Sequence, residues 1–342
     1  MKTLNETMHS DARPTLVYTC LGNAAITKHQ NYIWRSLEQA RRIVEPSLVI
    51  VLILSSAEQL REVQPLLQRL NVTPILDEDL YRASNDSFKI ISDFRRVFFV
   101  QGVMIPHGNT NFNIVTTERL FAIHAYMQAT NTSDVFHVEN DNMLYMDLVD
   151  LTKRMHMCHV YLALARASHS HAVISIAYIR NASTLAHFIR FITDIYRLNR
   201  TRAIEHLKTD WINDMTIASR YLELFAGTPE RSKSSGIYTL PTQLTKGNCC
   251  LCTLGNHEEA IVFDARTLGK YFGGDYWLPN SPFWSKEELV DPRGRLLVWN
   301  QTSNDLKIPF VNGIRIVNLH IHSKRLELFS SAGKGQTNGI GK

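Results

Sequence analysis

The segment SLVIVLILSS, residues 47–56, holds seven consecutive apolar residues from Leu48 to Leu54. A strand with one face in water alternates polar with apolar residues, so an unbroken run of this kind must be covered on both faces. The run is far too short to cross a bilayer, which takes about 20 residues. It is preceded by TLVYTCLG (15–22), apolar and β-branched and closed by a Gly-Asn turn signal, and by a stretch over 28–44 that repeats Ile33, Leu37 and Ala40 at helical spacing. Strand, helix and strand in this order form a β-α-β unit, which predicts a mostly parallel sheet with helices on both sides.

The pattern continues with a helix predicted over 57–70, a short strand near TPILD (73–77) and a further apolar run, RVFFVQGVMI (96–105). IPHGNTNFN reads as a loop, and Thr116 or Thr117 is placed to cap the helix TERLFAIHAYMQA. Past residue 150 the order loosens. Expected elements are a strand at 171–179, a helix over about 182–199, a helix over 210–225, a polar stretch at 227–248, a strand at AIVFD (260–264) and a strand at GIRIVNLHIHSK (313–324). The tail SAGKGQTNGIGK is Gly-rich and polar, and is expected to be disordered. No composition break divides the chain, so one large domain is expected over 15–330, between a flexible segment (1–14) and the tail (331–342).

The most informative segment is FHVENDNMLYMD (136–147), where Glu139 and Asp141 follow a short apolar run. At the carboxyl end of a strand in an α/β sheet they would sit where ligand crevices form. If the strand stays extended, the two carboxylates share one face, with Asn140 opposite and His137 on the carboxylates' side. Two such carboxylates repel when ionised. A hard divalent cation, Mg²⁺ or Mn²⁺, removes that cost and leaves positions open for phosphates; a solvated loop after an edge strand would carry the same residues without a ligand. Late in the chain, His320, His322 and Lys324 alternate in NLHIHSK, so one face of a strand would offer imidazoles to a metal and an ammonium to a diphosphate.

An opening strand ending in a small turn, a helix carrying Arg119 before an acid-x-acid strand end, and a late His/Lys strand together resemble a glycosyltransferase of the GT-A fold. The resemblance covers roughly residues 15–326, with Glu139 in place of the first Asp of the Asp-x-Asp signature. It implies a Rossmann-like α/β domain with a nucleotide-sugar half (15–148) and an acceptor half (149–330), and transfer of a sugar from a nucleoside-diphosphate sugar to a hydroxyl of a glycan or glycoconjugate. Residue by residue, it implies Asp141 as direct ligand to Mn²⁺ or Mg²⁺ and Glu139 on the ribose or metal, with neighbouring Asn140 at the donor. Thr19, Cys20 and Leu21 would meet base and ribose, Arg119 the donor, and His322, in preference to His320, the metal. Lys324 would face the diphosphate. Asp214, with Asp210 a turn earlier, is the candidate base for an inverting reaction, and Gly274 and Trp277 in FGGDYWLPNSPFW belong to a candidate acceptor platform.

Competing functions are a sugar nucleotidyltransferase, for which TCLGNAAITKH is poor in the Gly and Arg/Lys such enzymes carry, and a non-catalytic binding module, in which the acids would lie far from His320, His322 and Lys324. The net charge of +5 comes from 37 basic and 32 acidic residues that are interspersed, too mild an excess to suggest nucleic acid. With no apolar leader and no membrane span, a cytoplasmic protein is expected. Five cysteines agree with reduced thiols, and the cluster Cys249, Cys250 and Cys252 lacks the second spaced pair of a structural zinc site.

Overall fold

The structure, a computed structural model, describes residues 13–22, 32–100, 110–244, 260–274 and 288–332, with only the backbone of 99, 100, 110 and 111. The first half alternates as the sequence predicts: β1 (Thr15–Cys20), α1 (Tyr32–Ile43), β2 (Val49–Leu54), α2 (Ala57–Arg69) and β3 (Val72–Leu76). Helices α3 (Asp77–Ala83), α4 (Asn85–Val100) and α5 (Thr110–Thr130) lead to β4 (Val135–Val138), β5 (Asn142–Leu144) and α6 (Leu148–Met157). Strands β6 (Leu162–Arg166) and β7 (Ala172–Ile179) precede α7 (Ala182–Arg197), α8 (Arg200–Leu207), α9 (Asp214–Ala226), α10 (Pro229–Ser235) and β8 (Ile237–Leu240). The chain closes with β9 (Ile261–Phe263), α11 (Thr267–Gly273), β10 (Leu297–Gln301), β11 (Lys307–Val311) and β12 (Ile314–His320).

Seven strands form the main sheet in the order β3-β2-β1-β4-β7-β6-β8. All neighbours are parallel except the pairs made by β7. This is the mostly parallel, helix-flanked α/β architecture that the sequence predicts. Residues Ile50 to Leu54 are almost wholly buried: Val51 and Ile53 join one core with Phe94 and Phe121, while Ile50, Leu52 and Leu54 join the other with Ile33, Leu37 and Ala40. Each such side chain contributes about 1.5–3 kcal/mol by burial, which is why no polar residue interrupts the run. A smaller sheet, β10-β11-β12-β5 with β9 on β12, is joined to the main one by the turn between β4 and β5.

Several local expectations are corrected. The described part of the apolar run 96–105 ends helix α4, because Ile91, Phe94, Val97 and Phe98 fall on one helical face and Phe94 stacks on Phe121 at 4.6 Å. Thr116 and Thr117 lie inside α5, and their hydroxyls donate to the Asn113 carbonyl instead of capping a helix start. The helix expected from 210 starts at Asp214, capped by Asn213. Cys20 is a free buried thiol, but Cys158 is disulfide-bonded, against the expectation of reduced thiols. The cluster Cys249, Cys250 and Cys252 lies outside the described residues, as does the tail beyond 332. Among the described residues no helix is long and apolar enough to cross a membrane.

Candidate active site

Glu139, Asn140 and Asp141 form the turn that carries the chain from β4 into β5, closed by the Asn142 N–H on the Glu139 carbonyl at 3.1 Å. Three bonds fix it to the surrounding strands. The Glu139 N–H donates to Ser175 of β7, the Asn140 side-chain amide donates to the Thr19 carbonyl at 2.9 Å, and the Asp141 carbonyl accepts from the Ile321 N–H at 2.9 Å. The carboxylates therefore converge through a turn, not through the alternation of an extended strand. They do so at the carboxyl end of β4, beside the end of β1.

His320, the last residue of β12, brings Nε2 to 3.1 Å from both Glu139 and Asp141. The ligand atoms of Glu139, Asp141 and His320 all lie within 4.8 Å of one another. Asp141 is also paired with Lys324, and Glu139 with Arg119, whose other nitrogen bonds Asp214 at 2.9 Å. Burial alone would keep these acids neutral; the positive charges of His320 and Lys324 outweigh it for Asp141, and those of Arg119 and His320 for Glu139, so both are held below the ordinary carboxylate range. Burial also opposes the His320 imidazolium, but the two carboxylates push its pKa up to about 9. Protons on His320 and Lys324 thus supply the positive charge that this pair of acids requires.

The imidazole is aimed by main-chain groups. His320 Nδ1 donates to the Ala265 carbonyl at 2.9 Å, which leaves Nε2 as the nitrogen facing the acids. Asp264, itself buried, accepts from the His320 N–H at 3.0 Å and from the Leu268 and Gly269 N–H groups, so one carboxylate ties β12 to the start of α11. A Cβ on Gly269 would stand 2.1 Å from the His320 carbonyl oxygen and 2.8 Å from Asp264 Oδ2. Gly269→Ala should therefore push α11 away from β12 and cost about 1–3 kcal/mol. Chemical denaturation measures this, and wild-type stability in the variant would contradict the tight approach.

No protein-family profile and no curated protein matches the sequence. Among solved structures, the chain is similar to mouse xyloside xylosyltransferase 1 in its apo form, at TM-score 0.44 and 11% identity over 69% of this chain and 89% of that one. It is also similar to a cytidylyltransferase from Leptospira borgpetersenii (TM-score 0.35, 10% identity, 68% and 76% covered). The apo glycosyltransferase GlyE of Streptococcus pneumoniae aligns at TM-score 0.35 and 14% identity over 63% and 44%. At these scores any functional reading rests on the site itself.

The remaining candidates are distributed unevenly. Thr19, Cys20 and Leu21 end β1 next to the turn and are buried, and burial pushes the Cys20 thiol up to about 12. His322 is not on the strand, which stops at His320. It lies in the following turn with its ring 4.2 Å from that of His320, and burial depresses its pKa, so the strand face expected to carry His320, His322 and Lys324 does not form. Asp214 is buried, whereas Asp210 is exposed and lies outside any helix, which separates the two acids expected on one helical side. Gly274 caps α11 in the left-handed region, and Trp277 lies outside the described residues. His137 is buried in β4 and bonded to the Val17 carbonyl at 3.1 Å, its pKa lowered to about 4 chiefly by burial. Sequence reasoning missed Asp264, Ala265 and Gly269, and also Tyr32, whose ring lies 5.2 Å from the Lys324 ammonium. Asp264 alone left a trace, as an acid directly after a short apolar strand.

Proposed function

We propose that the chain is a metal-dependent glycosyltransferase of the GT-A type, using a nucleoside-diphosphate sugar and a hydroxyl acceptor. The observation that carries this is the convergence of Glu139, Asp141 and His320 at the carboxyl edge of a mostly parallel sheet, with Arg119 and Lys324 against the same acids. Two carboxylates and an imidazole whose other nitrogen is bonded to a carbonyl suit Mn²⁺ better than Mg²⁺, which favours oxygen alone. Asp141, Glu139 and His320 would hold the ion, which when bound neutralises charge on a leaving diphosphate. Lys324, whose side chain is 43% exposed, can turn from Asp141 to the diphosphate oxygens as a point charge. Arg119 is fixed between Glu139 and Asp214 and orients Glu139 at the donor.

Asp214 takes a positioning role through Arg119, because its carboxylate is buried on that guanidinium. Burial raises its pKa against the opposing pull of Arg119, so it remains the candidate acceptor base if the reaction inverts configuration. Thr19, Cys20 and Leu21 line the approach for the nucleotide. The contact of the acids with His320 and Lys324 supports this reading over a non-catalytic module, in which those groups were expected to lie apart.

The test is a panel of nucleotide sugars incubated with Mn²⁺ and with a chelator. Metal-dependent release of one nucleoside diphosphate is the expected result. Release of pyrophosphate from a nucleoside triphosphate and a sugar phosphate would favour a nucleotidyltransferase instead, and binding without any turnover would favour the module.

A further inference from the structure

A second polar site lies at the same edge of the main sheet. Strands β6 and β8 run parallel to each other and, through antiparallel β7, in the same sense as β4, so their carboxyl ends open on the side that carries the Glu139–Asp141 turn. Over those ends is a cavity of about 270 Å³ whose lining includes Arg166, His169, Thr239, Thr242, Gln243 and Leu289. Arg166, the last residue of β6, is partly buried, and among the described residues it forms no ion pair. One terminal nitrogen donates to the His169 carbonyl at 3.0 Å and to Ser219 Oγ at 3.1 Å. The Ser219 hydroxyl is itself bonded to the His169 carbonyl at 3.0 Å, which fixes the guanidinium plane.

The acid whose charge reaches Arg166, Glu223, is itself bound by Lys208 at 3.0 Å and Arg220 at 2.7 Å. A fixed, partly desolvated guanidinium with no ion-pair partner among the described residues is costly, and a carboxylate or phosphate meeting it forms charge-assisted bonds. The Thr239, Thr242 and Gln243 side chains add neutral hydrogen-bonding groups, and Leu289 an apolar wall. Helix α9 carries both Ser219, bonded to Arg166, and Asp214, bonded to Arg119, so it connects this cavity with the acid cluster.

We infer that this cavity binds the anionic group, carboxylate or phosphate, of a small ligand, and that this ligand is the acceptor. The second half rests on the proposed glycosyl transfer; the first does not. Calorimetric titration of the full chain, without metal or nucleotide, with inorganic phosphate, glucuronate and glucose tests it. Phosphate or glucuronate should bind saturably and glucose at least tenfold more weakly, which also tells which anion is preferred. Arg166→Gln should lose at least tenfold in anion affinity, while Arg231→Gln, at an exposed helix position outside both sites, should match wild type. Equal binding of glucuronate and glucose, or unchanged affinity in a folded Arg166→Gln protein, would overturn the anion site. If Arg166→Gln does not fold, Arg166→Lys decides: weakened anion binding supports the site, and unchanged binding refutes it. A protein that passes these titrations yet shows no metal-dependent nucleotide-sugar turnover keeps the anion site and loses the glycosyl-transfer reading.

Discussion

Replacing Asp141 by alanine is expected to abolish Mn²⁺-dependent binding of a nucleoside diphosphate and to lower any transfer rate by about 10²–10³-fold or more. Asp141 is the acid on which His320 and Lys324 both converge, and its main chain is also tied to the end of β12. Removing one member of a buried ion pair ordinarily costs about 3–5 kcal/mol, because a charge is left uncompensated. Here the cost should be smaller: the Lys324 side chain is 43% exposed and so reaches water, and His320 keeps Glu139 as a partner and can also release its proton. Asp141→Asn, which preserves shape, should fold like wild type and still fail to bind metal. Equilibrium dialysis with Mn²⁺ and thermal unfolding measure the two effects separately. Full activity in Asp141→Ala would remove the basis for the proposed function.

The sequence made the two acids legible, because a carboxylate pair behind a buried strand calls for a partner whatever the fold. It also made the β-α-β frame legible, because Leu48 to Leu54 has no stable solution except coverage on both faces. It did not reveal why the acids meet. Extended geometry predicted a shared strand face, but the Asn140 amide and the Ile321 N–H draw the segment into a turn between two sheets. The placement of His322 was missed for a related reason: alternation treats both histidines as strand residues, whereas the chain turns after His320. The groups that aim His320, namely the Ala265 carbonyl, Asp264 and the bare Cα of Gly269, act largely through backbone contacts far apart in sequence and leave no periodic pattern. Arg166 escaped notice because its lack of an ion pair among the described residues is a property of packing.

Proton competition at His320 gives the second large effect. In the metal-free protein the imidazolium bridges Glu139 and Asp141 with a pKa of about 9, well above the ordinary value near 6.5. That raised value means its contribution to metal-free stability is fully present below about pH 6.5 and is lost as pH rises through about 9. Coordination by Nε2 requires the same proton to leave, so an ion and a proton compete for one position between the acids. Apparent Mn²⁺ affinity should accordingly rise about tenfold per pH unit up to about pH 9, roughly a hundredfold from pH 6.5 to 8.5, and then level off. Calorimetric titration in two buffers of different ionisation enthalpy should find close to one proton released per ion at pH 7. His320→Ala should bind more weakly at pH 8.5 and show a much flatter pH dependence, because the competing proton has gone with the ring. PH-independent affinity with no proton release in the wild-type protein would place the ion somewhere other than between Glu139, Asp141 and His320.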